Sequence, residues 1–264
     1  MKTRTLTLIG AGPGDPELIT LKALRALEKA DVVLYDALAN KKLLDYATNA
    51  SVKRHTGKRF GCHTLSQQEI NQLIVEYSLR YAHIVRLKGG DPFIFGRAQE
   101  ELEAASAAGM HTEVIPGISS ALAVPASYML PLTSRGVSES FWVVTGTTRT
   151  GEISADIHLA AQSNATTVIL MAMSKLDIIT DIFMRHGKHE TPVAIIQNGT
   201  TEKARMITGT VKDIAFRAAV EQIGNPAVIV IGEVVNLSAI NRVKKFTQGS
   251  VSLCRYAEDK TTGG

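Results

Sequence analysis

Residues 86–97 read Arg-Leu-Lys-Gly-Gly-Asp-Pro-Phe-Ile-Phe-Gly-Arg, and this stretch decides the fold that the sequence predicts. It follows the β-branched run 83–85, which indicates the end of a buried strand, and it precedes the helix-favouring run 99–108. Residues 86–97 are therefore predicted to form a strand-to-helix turn. In an open α/β sheet, such turns lie at the carboxyl ends of the strands, where ligands bind.

The centre of this turn combines flexible backbone with a carboxylate. Gly89 and Gly90 have no Cβ, so their amides can approach a ligand closely and adopt positive φ. Asp91 adds a carboxylate that suits ribose hydroxyls or an ammonium group, and Pro92 stiffens the bend. The alternative interpretation of Gly-Gly-Asp-Pro is a tight turn with a capping aspartate.

Composition limits the class of protein. A chain of 264 residues with 45% hydrophobic and 20% charged content is globular, with one large domain or two of ordinary size. The net charge of +4 is mild and its basic residues are scattered, which favours an anionic small molecule over a nucleic acid. Aromatic residues make up only 5%, which also argues against an RNA-binding surface.

Targeting signals and metal motifs are not recognisable in the sequence. The uncharged run 114–134 contains three prolines, so we expect a buried segment between domains rather than a membrane helix. The N-terminus lacks a signal-peptide pattern. Cys62 and Cys254 match no metal-binding spacing, so we expect reduced thiols in a cytoplasmic protein. His63 has no partner ligands at a recognisable spacing, which disfavours a metal site there as well.

The N-terminal part predicts further strands that end in a loop or a carboxylate. Run 5–9 is followed by Gly-Ala-Gly-Pro-Gly-Asp, which departs from the dinucleotide fingerprint because Asp15 stands in place of the third glycine. Thr20 is predicted to cap the next helix. Strand 31–36 carries Asp36 at its carboxyl end, on the same rim, where an acid binds ribose in dinucleotide folds or caps a turn. Residues 53–63 are interpreted as a basic loop, and Ser66-x-x-Glu69 as a capping box.

The second half alternates strands and helices again. At 116–121, Pro-Gly-Ile-Ser-Ser-Ala indicates a helix start whose serines either bind a ligand carboxylate, cap the helix, or do both. Strands are predicted at 141–145, 167–172, 193–196 and 227–231, and helices at 174–186 and 211–220, with a second capping box Ser174-x-x-Asp177. The sequence therefore predicts an α/β protein with domains 1–115 and 116–245 and a polar, disordered tail 246–264.

Three motifs in the same order, at 10–15, 86–97 and 116–121, give the chain a resemblance to the tetrapyrrole methylases that extends from Leu6 to Val235. The resemblance implies two α/β domains with the active site in the cleft between them, and a homodimer. It also implies an S-adenosyl-L-methionine-dependent enzyme without a metal. The implied reaction methylates carbons 2 and 7 of uroporphyrinogen III to give precorrin-2, on the route to sirohaem or cobalamin.

The resemblance also implies roles for individual residues. Asp36 corresponds to a proton acceptor and Lys58 to a proton donor, while Arg97 and Arg135 are expected to hold substrate carboxylates. The residues expected to bind S-adenosylmethionine are Pro13, Gly89, Gly90, Asp91, Ile94, Ser119, Ser120, Met171 and Gly199. For Met171, the alternative is an ordinary core methionine.

The chain departs from the usual family motifs on the substrate side, at Ala98, Gln99, Ser134, Thr147 and Ala204. The P-loop, the His-Glu-x-x-His motif and the Gly-x-Ser-x-Gly elbow are missing from the sequence, which excludes the enzyme classes that those motifs define. Two alternatives to uroporphyrinogen methylation stay open. One is a methylase that acts later on the corrin ring, and the other is a non-catalytic nucleotide-binding module.

Overall fold

The computed structural model describes residues 3–57 and 65–238. Two compact units divide this part of the chain, and both are α/β. The first unit comprises the described residues up to Ala123 together with Thr200–Glu202, and the second comprises the remaining described residues from Val124 onward. The predicted proton donor Lys58 and the predicted tail 246–264 lie outside the described residues.

The first unit contains a parallel sheet with helices in its crossovers. Its strands are β1 (Thr5–Gly10), β2 (Val32–Tyr35), β3 (Val52–His55), β4 (His83–Lys88) and β5 (His111–Ile115), and its helices are α1 (Leu21–Glu28), α2 (Gln67–Ser78) and α3 (Ala98–Ala107). The strand order is β3-β2-β4-β1-β5, and every pair is parallel. All five strands therefore end at the same edge of the sheet, as the sequence analysis predicted for the strands that it identified.

Both faces of this sheet are covered by apolar side chains. Ile9, Val33 and Leu87 pack with Leu27 of α1 on one face. Leu8, Leu34 and Ile84 pack with Ile74 of α2 on the other. Burial on both faces explains why the central strands appear in the sequence as nearly continuous apolar runs.

The second unit contains a mixed sheet. Its strands are β6 (Phe141–Thr145), β7 (Thr166–Leu170), β8 (Pro192–Gln197), β9 (Arg205–Thr210) and β10 (Ala227–Ile231), in the order β6-β7-β10-β8-β9. Only β6 and β7 pair in parallel, and the other neighbours are antiparallel. Its helices are α5 (Asp156–Gln162), α6 (Leu176–Arg185) and α7 (Ile214–Val220), which pack on an apolar core with Ile169, Ile195 and Ile229.

Helix α4 (Ser120–Ser127) contains the boundary between the units, which lies after Ala123. The domain boundary was predicted before Pro116, but residues 116–119 belong with the first unit because Gly117 packs against Gly10 and Gly90. The expected burial of the segment 114–134 is wrong in part, since Leu122 and Met129 are exposed. Among the described residues, no helix is long and apolar enough to cross a membrane.

Local predictions differ in outcome. The cap at Thr20 and the capping box of Ser66 and Glu69 are confirmed, with both reciprocal bonds of the box present. The second box is wrong, because a 3-10 turn over Met173–Lys175 places Ser174 inside helical backbone and leaves α6 without a side-chain cap. The predicted basic loop 53–63 begins in strand β3, and the sequence analysis did not predict β9 or α5.

Candidate active site

Three loops meet by main-chain contact at the carboxyl edge of the first sheet. The Gly90 amide donates to the Gly12 carbonyl at 2.7 Å, and the Gly12 amide donates back to Gly90 at 3.2 Å. A Cβ on Gly10 would lie 2.4 Å from the Gly117 nitrogen, and one on Gly117 would lie 2.3 Å from the Gly90 oxygen. The loops after β1, β4 and β5 therefore come together at glycines because any side chain there would block the contact.

The two central glycines have different reasons to be glycine. Gly90 adopts φ of +66°, a left-handed conformation that side chains disfavour. Gly89 has an ordinary φ, but a Cβ on it would lie 2.7 Å from the Cβ of Leu38, in the segment that follows β2. Both glycines thus lie close to other parts of the protein. Contact with a ligand at these glycines stays a prediction.

Asp91 fixes the conformation of this loop. Its Oδ2 accepts a hydrogen bond from the Gly117 amide at 3.0 Å, and its Oδ1 accepts one from the Phe93 amide at 2.9 Å. The capping interpretation of Asp91 is therefore confirmed. An ionised carboxylate has about four acceptor positions, so these two bonds leave acceptor capacity for the predicted ligand contact.

Serines at the start of α4 lie beside the same loop. Ser119 is buried, and its Oγ accepts a hydrogen bond from the Ala121 amide at 3.3 Å, so the capping interpretation is confirmed. A Cβ on Gly90 would lie 3.7 Å from the Ser120 nitrogen. The structure thus brings Gly90, Asp91, Ser119 and Ser120 together within the first unit. Pro13 is half-buried in the adjoining loop after β1.

Exposed apolar side chains follow Asp91. Phe93, Ile94 and Phe95 are 55%, 43% and 42% exposed. Phe95 and Arg97 have φ of 55° and 54°, and left-handed backbone at non-glycine residues costs about 1–3 kcal/mol each. Such strain concentrates at binding sites, and three consecutive exposed apolar side chains favour a ligand contact. Both features support the prediction that Ile94 binds the cofactor.

Arg97, a predicted substrate ligand, already has a carboxylate partner. Its Nε and Nη2 donate to the two oxygens of Glu100, each at 2.7 Å. The hydrogen bond to Glu100 raises the pKa of Arg97 more than burial lowers it. A substrate carboxylate that binds Arg97 would therefore share or displace Glu100.

Asp36, the predicted proton acceptor, lies at the end of β2 and contacts a buried cationic side chain. Its Oδ1 accepts a hydrogen bond from Nη2 of Arg86, a residue of β4. The Asp36 side chain is 29% exposed, whereas that of Arg86 is 2% exposed. Burial lowers the pKa of Arg86, but the carboxylates of Asp36 and Glu101 outweigh that effect and raise it.

Glu101 of α3 completes this cluster. Its Oε1 lies 3.1 Å from Nε of Arg86 and 3.0 Å from Nζ of Lys88, and its side chain is fully buried. Burial lowers the pKa of Lys88 and the positive charge of Arg86 lowers it further, more than Glu101 raises it. We call Asp36, Arg86, Lys88 and Glu101 the buried charge cluster.

Two predicted cofactor residues belong to the second unit. Met171 follows β7, is half exposed and has φ of 54°, and its carbonyl accepts a hydrogen bond from Oγ1 of Thr147 at 2.9 Å. Gly199 follows β8, where a Cβ would lie 2.3 Å from Cγ1 of Val124. Because β6, β7 and β8 run in the same direction, Thr147, Met171 and Gly199 lie at one edge of this sheet.

Arg135 is attached to the opposite edge of the second sheet. It lies in an exposed turn that is closed by a bridge between Ser134 and Ser138. Ser138 Oγ accepts a hydrogen bond from the amide of Thr166, the first residue of β7. Within the second unit, the structure therefore does not bring the turn of Arg135 to the edge where Met171 lies.

Comparison with known proteins identifies the family. The model of the tetrapyrrole (corrin/porphyrin) methylases matches residues 5–215. The chain belongs to the tetrapyrrole methylases. A relative from Methanocaldococcus jannaschii, named uroporphyrinogen-III C-methyltransferase, is 46% identical over 237 residues, which are 89% of this chain and 98% of that protein.

Solved structures of tetrapyrrole methylases also match the fold. A uroporphyrin-III C-methyltransferase from Thermus thermophilus, complexed with S-adenosylhomocysteine, is 35% identical with a TM-score of 0.76, and the match covers 88% of this chain and 99% of that one. A cobalt precorrin-4 methyltransferase from cobalamin biosynthesis is 26% identical with a TM-score of 0.77, over 87% and 95% of the two chains.

Part of the buried charge cluster of this tetrapyrrole methylase was not predicted from the sequence. Arg86 and Lys88 were expected in a turn, whereas both lie in β4, and Glu101 was not singled out. The period of a strand places residues 86 and 88 on the same face, which is a signal that two cations share one environment. Among residues 3–57 and 65–238, no group of three or more metal-ligating side chains occurs.

Proposed function

We propose that this chain is an S-adenosyl-L-methionine-dependent C-methyltransferase that methylates uroporphyrinogen III at carbons 2 and 7 to give precorrin-2. The observation that carries the proposal is the 46% identity, over nearly the full length of both chains, to a uroporphyrinogen-III C-methyltransferase. The 35% identical neighbour complexed with S-adenosylhomocysteine supports the choice of methyl donor.

The first unit offers residues that fit the methyl donor. We assign its binding to Pro13, Gly89, Gly90, Asp91, Ile94, Ser119 and Ser120. The fit is supported by the glycine contacts, by the spare acceptor positions of Asp91 and by the exposed side chain of Ile94. The donor, when bound, supplies an electrophilic methyl group on a sulfonium. For Met171 and Gly199, the assignment to this ligand rests on the family resemblance.

The chain's own residues contribute positioning and proton transfer. Holding two reactants in an aligned geometry can supply up to about 7–11 kcal/mol of the barrier. A proton must leave the macrocycle after each methyl transfer. We assign Asp36 as the acceptor of this proton because it is a partly exposed carboxylate at the carboxyl edge of the first sheet. Lys58 is assigned as the proton donor on resemblance alone. Arg97 is assigned to a substrate carboxylate that shares or displaces Glu100. Arg135 is assigned to another carboxylate on the resemblance alone, since its turn lies at the opposite edge of the second sheet from Met171.

We also propose that the protein acts in the cytoplasm as a homodimer, with uroporphyrinogen III as its small-molecule partner. The family resemblance supports both assignments. The mild net charge of +4 supports an acidic small molecule rather than a nucleic acid or a membrane surface as the partner.

A labelled methyl donor tests the proposed reaction directly. The protein is incubated with uroporphyrinogen III and S-adenosylmethionine that carries a labelled methyl group, and the macrocycle is analysed by mass spectrometry. We expect a gain of two labelled methyl groups, and none when the donor is omitted. If uroporphyrinogen III stays unmodified while a later corrin precursor is methylated, the activity is that of the cobalt precorrin-4 methyltransferase type, which the 26% identical neighbour represents.

A further inference from the structure

The buried charge cluster is unusual because charged side chains are rarely buried completely. Arg86 and Lys88 of β4 and Glu101 of α3 are at most 4% exposed at their side chains, and Asp36 is the only member that reaches the surface. Replacing buried ion pairs by apolar residues is often neutral or stabilises a protein by about 1–4 kcal/mol. Stability alone therefore does not account for four ionisable groups at this place.

Arg86 connects the cluster to three elements of the first unit. Its Nε donates to Glu101, and its Nη1 lies 3.3 Å from the Leu34 carbonyl in β2 and 3.4 Å from that of Leu87. Its Nη2 donates to Oδ1 of Asp36. A guanidinium that is bonded on both edges of its plane cannot rotate without losing several of these bonds, so its direction toward Asp36 is fixed.

Asp36 is held by its backbone as well as by its side chain. Its amide donates to the Leu87 carbonyl at 3.1 Å, beside the residue whose guanidinium binds Oδ1. Among residues 3–57 and 65–238, Oδ2 has no hydrogen-bond partner. The described contacts therefore commit one carboxylate oxygen to Arg86, and none of them involves the other oxygen.

Glu101 compensates the buried cations independently of Asp36. Its Oε1 accepts bonds from Arg86, from Lys88 and, at 3.2 Å, from Nε2 of Gln67, while its Oε2 is buried without a partner among the described residues. If Asp36 takes up a proton, its charge is lost, but Arg86 still has the carboxylate of Glu101. The cluster therefore stays paired in both protonation states of Asp36.

We propose that Arg86 is a positioning residue that, braced by Glu101, orients the Asp36 carboxylate so that Oδ2 accepts the proton lost from the macrocycle. The bond between the macrocycle and that proton breaks, its electron pair remains in the macrocycle, and the proton joins Oδ2. This inference rests on the proposed function, specifically on Asp36 as the proton acceptor. Arg86 touches neither substrate nor methyl donor in this role.

Kinetics of the full-length protein test the role of Arg86. Arg86→Lys keeps the positive charge but loses the planar guanidinium, which bonds several acceptors at once. We expect kcat for uroporphyrinogen III methylation to fall about 10–100-fold, because misplacement of a reacting group has an effect of this size. We expect KM for both substrates, and the S-adenosylhomocysteine affinity measured by calorimetry, to change less than about twofold. The reason is that loss of an interaction made only in the transition state lowers kcat and leaves substrate binding unchanged. Arg4→Lys is the matched control, since Arg4 donates to a carbonyl of the same unit at 3.0 Å and precedes β1.

A double-mutant cycle distinguishes positioning from general structural damage. In an Asp36→Asn background, we expect Arg86→Lys to lower kcat by no more than about twofold further, because residues that act through one another are not additive. A purely structural role predicts the same 10–100-fold loss in both backgrounds, and that result overturns the proposal. Normal kcat of Arg86→Lys alongside a defective Asp36→Asn variant also overturns it.

A further variant and a further measurement keep the proposal testable if Arg86→Lys does not fold or if the wild type does not methylate uroporphyrinogen III. Glu101→Gln is nearly isosteric, so it replaces Arg86→Lys in the same cycle if that variant does not fold. Crystal structures of the wild type and of the folded variant test the positioning role without an activity measurement. We expect a single orientation of the Asp36 carboxylate in the wild type, and a displaced orientation or two alternative orientations in the variant. Unchanged orientation contradicts the inference, whereas an inactive wild type contradicts only the proposed function.

Discussion

Several aspartates in this chain accept hydrogen bonds from main-chain amides next to the ends of elements. Asp31 accepts bonds from the amides of Ala82 and His83, Asp91 from those of Phe93 and Gly117, and Asp213 from that of Thr210. Hydrogen bonds to charged groups contribute about 1.5–3 kcal/mol each when they are shielded from water. Asp36 differs, because among the described residues its side chain accepts a hydrogen bond only from the Arg86 guanidinium and from no main-chain amide.

The sequence could predict these residue roles only in part. A carboxylate after a strand indicates either a cap or a ligand, and local sequence does not distinguish the two because both need the same short acidic side chain. The side-chain partner of Asp36, Arg86, comes from β4, 50 positions away along the chain, and Glu101 of α3 joins the cluster through Arg86 and Lys88. Such tertiary contacts leave no local pattern, so Arg86 and Glu101 could not be assigned as partners from the sequence.

Asp213 provides a pH-dependent prediction. Burial raises the pKa of this carboxyl, but the hydrogen bonds from Arg217 and from the Thr210 amide outweigh it, so its pKa lies below the usual value. A group with a lowered folded-state pKa adds stability above its unfolded pKa, and this stability is lost as the pH falls through the folded-state pKa. Because Asp213 is partly exposed, we expect Asp213→Asn to lower the free energy of unfolding by only about 1 kcal/mol at pH 7.

Urea denaturation at neutral and acidic pH measures this difference. We expect the gap between the wild type and Asp213→Asn to shrink once the pH falls below about 4, the usual pKa of a free aspartate. Asp181→Asn is the matched control because Asp181 is exposed on α6. A gap that is constant with pH would show that the amide substitution acts through packing and not through the lost charge.

At the scale of elements, edge strands and central strands differ in how far the sequence predicts them. Central strands β1, β4, β8 and β10 carry runs of buried apolar side chains, and the sequence analysis located all of them, although it ended β4 too early. Edge strands β3 and β9 have no buried residue, and both were missed, whereas edge strand β6, which has one buried residue, was predicted at 141–145. Polar edges protect a sheet from further pairing, but they also remove the hydrophobic signal on which prediction depends.

Gly117 tests whether the meeting of the three loops is required. In Gly117→Ala, the new Cβ would lie 2.3 Å from the Gly90 oxygen and 2.6 Å from the Gly10 Cα, and main chain on both sides cannot move aside cheaply. We expect a loss of about 1–3 kcal/mol in unfolding free energy, as for overpacked cores. S-adenosylhomocysteine affinity, measured by calorimetry on the folded variant, should fall at least tenfold.

Gly224→Ala is the control for this element. Its Cβ would meet only the side-chain nitrogen of Gln197, at an ordinary 3.7 Å, so stability and ligand affinity should stay close to the wild type. If Gly117→Ala binds S-adenosylhomocysteine as tightly as Gly224→Ala does, the loop junction is structural and the cofactor site must be sought elsewhere in the protein.

At the scale of the whole molecule, two α/β units with different sheets share one pattern, in which the predicted cofactor residues follow strands that end at one edge. In the first unit these strands are β1 and β4, and the segment after β5 adds Ser119 and Ser120. In the second unit, Met171 and Gly199 follow β7 and β8. For the first unit, the sequence predicted this placement because carboxyl-terminal loops of α/β sheets bind ligands, and for Met171 and Gly199 it was implied by the family resemblance. The arrangement of strands within each sheet required the structure.

Ligand-induced stabilisation of the whole protein tests whether its ligand is S-adenosylmethionine or a dinucleotide. Asp15 stands where the dinucleotide motif requires glycine, and its Oδ1 accepts a bond from the Glu17 amide in a 3-10 turn that begins with Pro16. The loop after β1 therefore lacks the α-helix N-terminus that binds a pyrophosphate, since α1 begins only at Leu21.

We expect S-adenosylhomocysteine at 100 times its Kd to stabilise the protein by about 2.7 kcal/mol and to raise Tm, whereas NAD at the same concentration leaves Tm unchanged. Differential scanning fluorimetry measures both, with the folded Gly117→Ala variant as the protein whose S-adenosylhomocysteine shift should be smaller than that of the wild type. A shift with NAD and none with S-adenosylhomocysteine would support a dinucleotide-binding module in place of a methyltransferase.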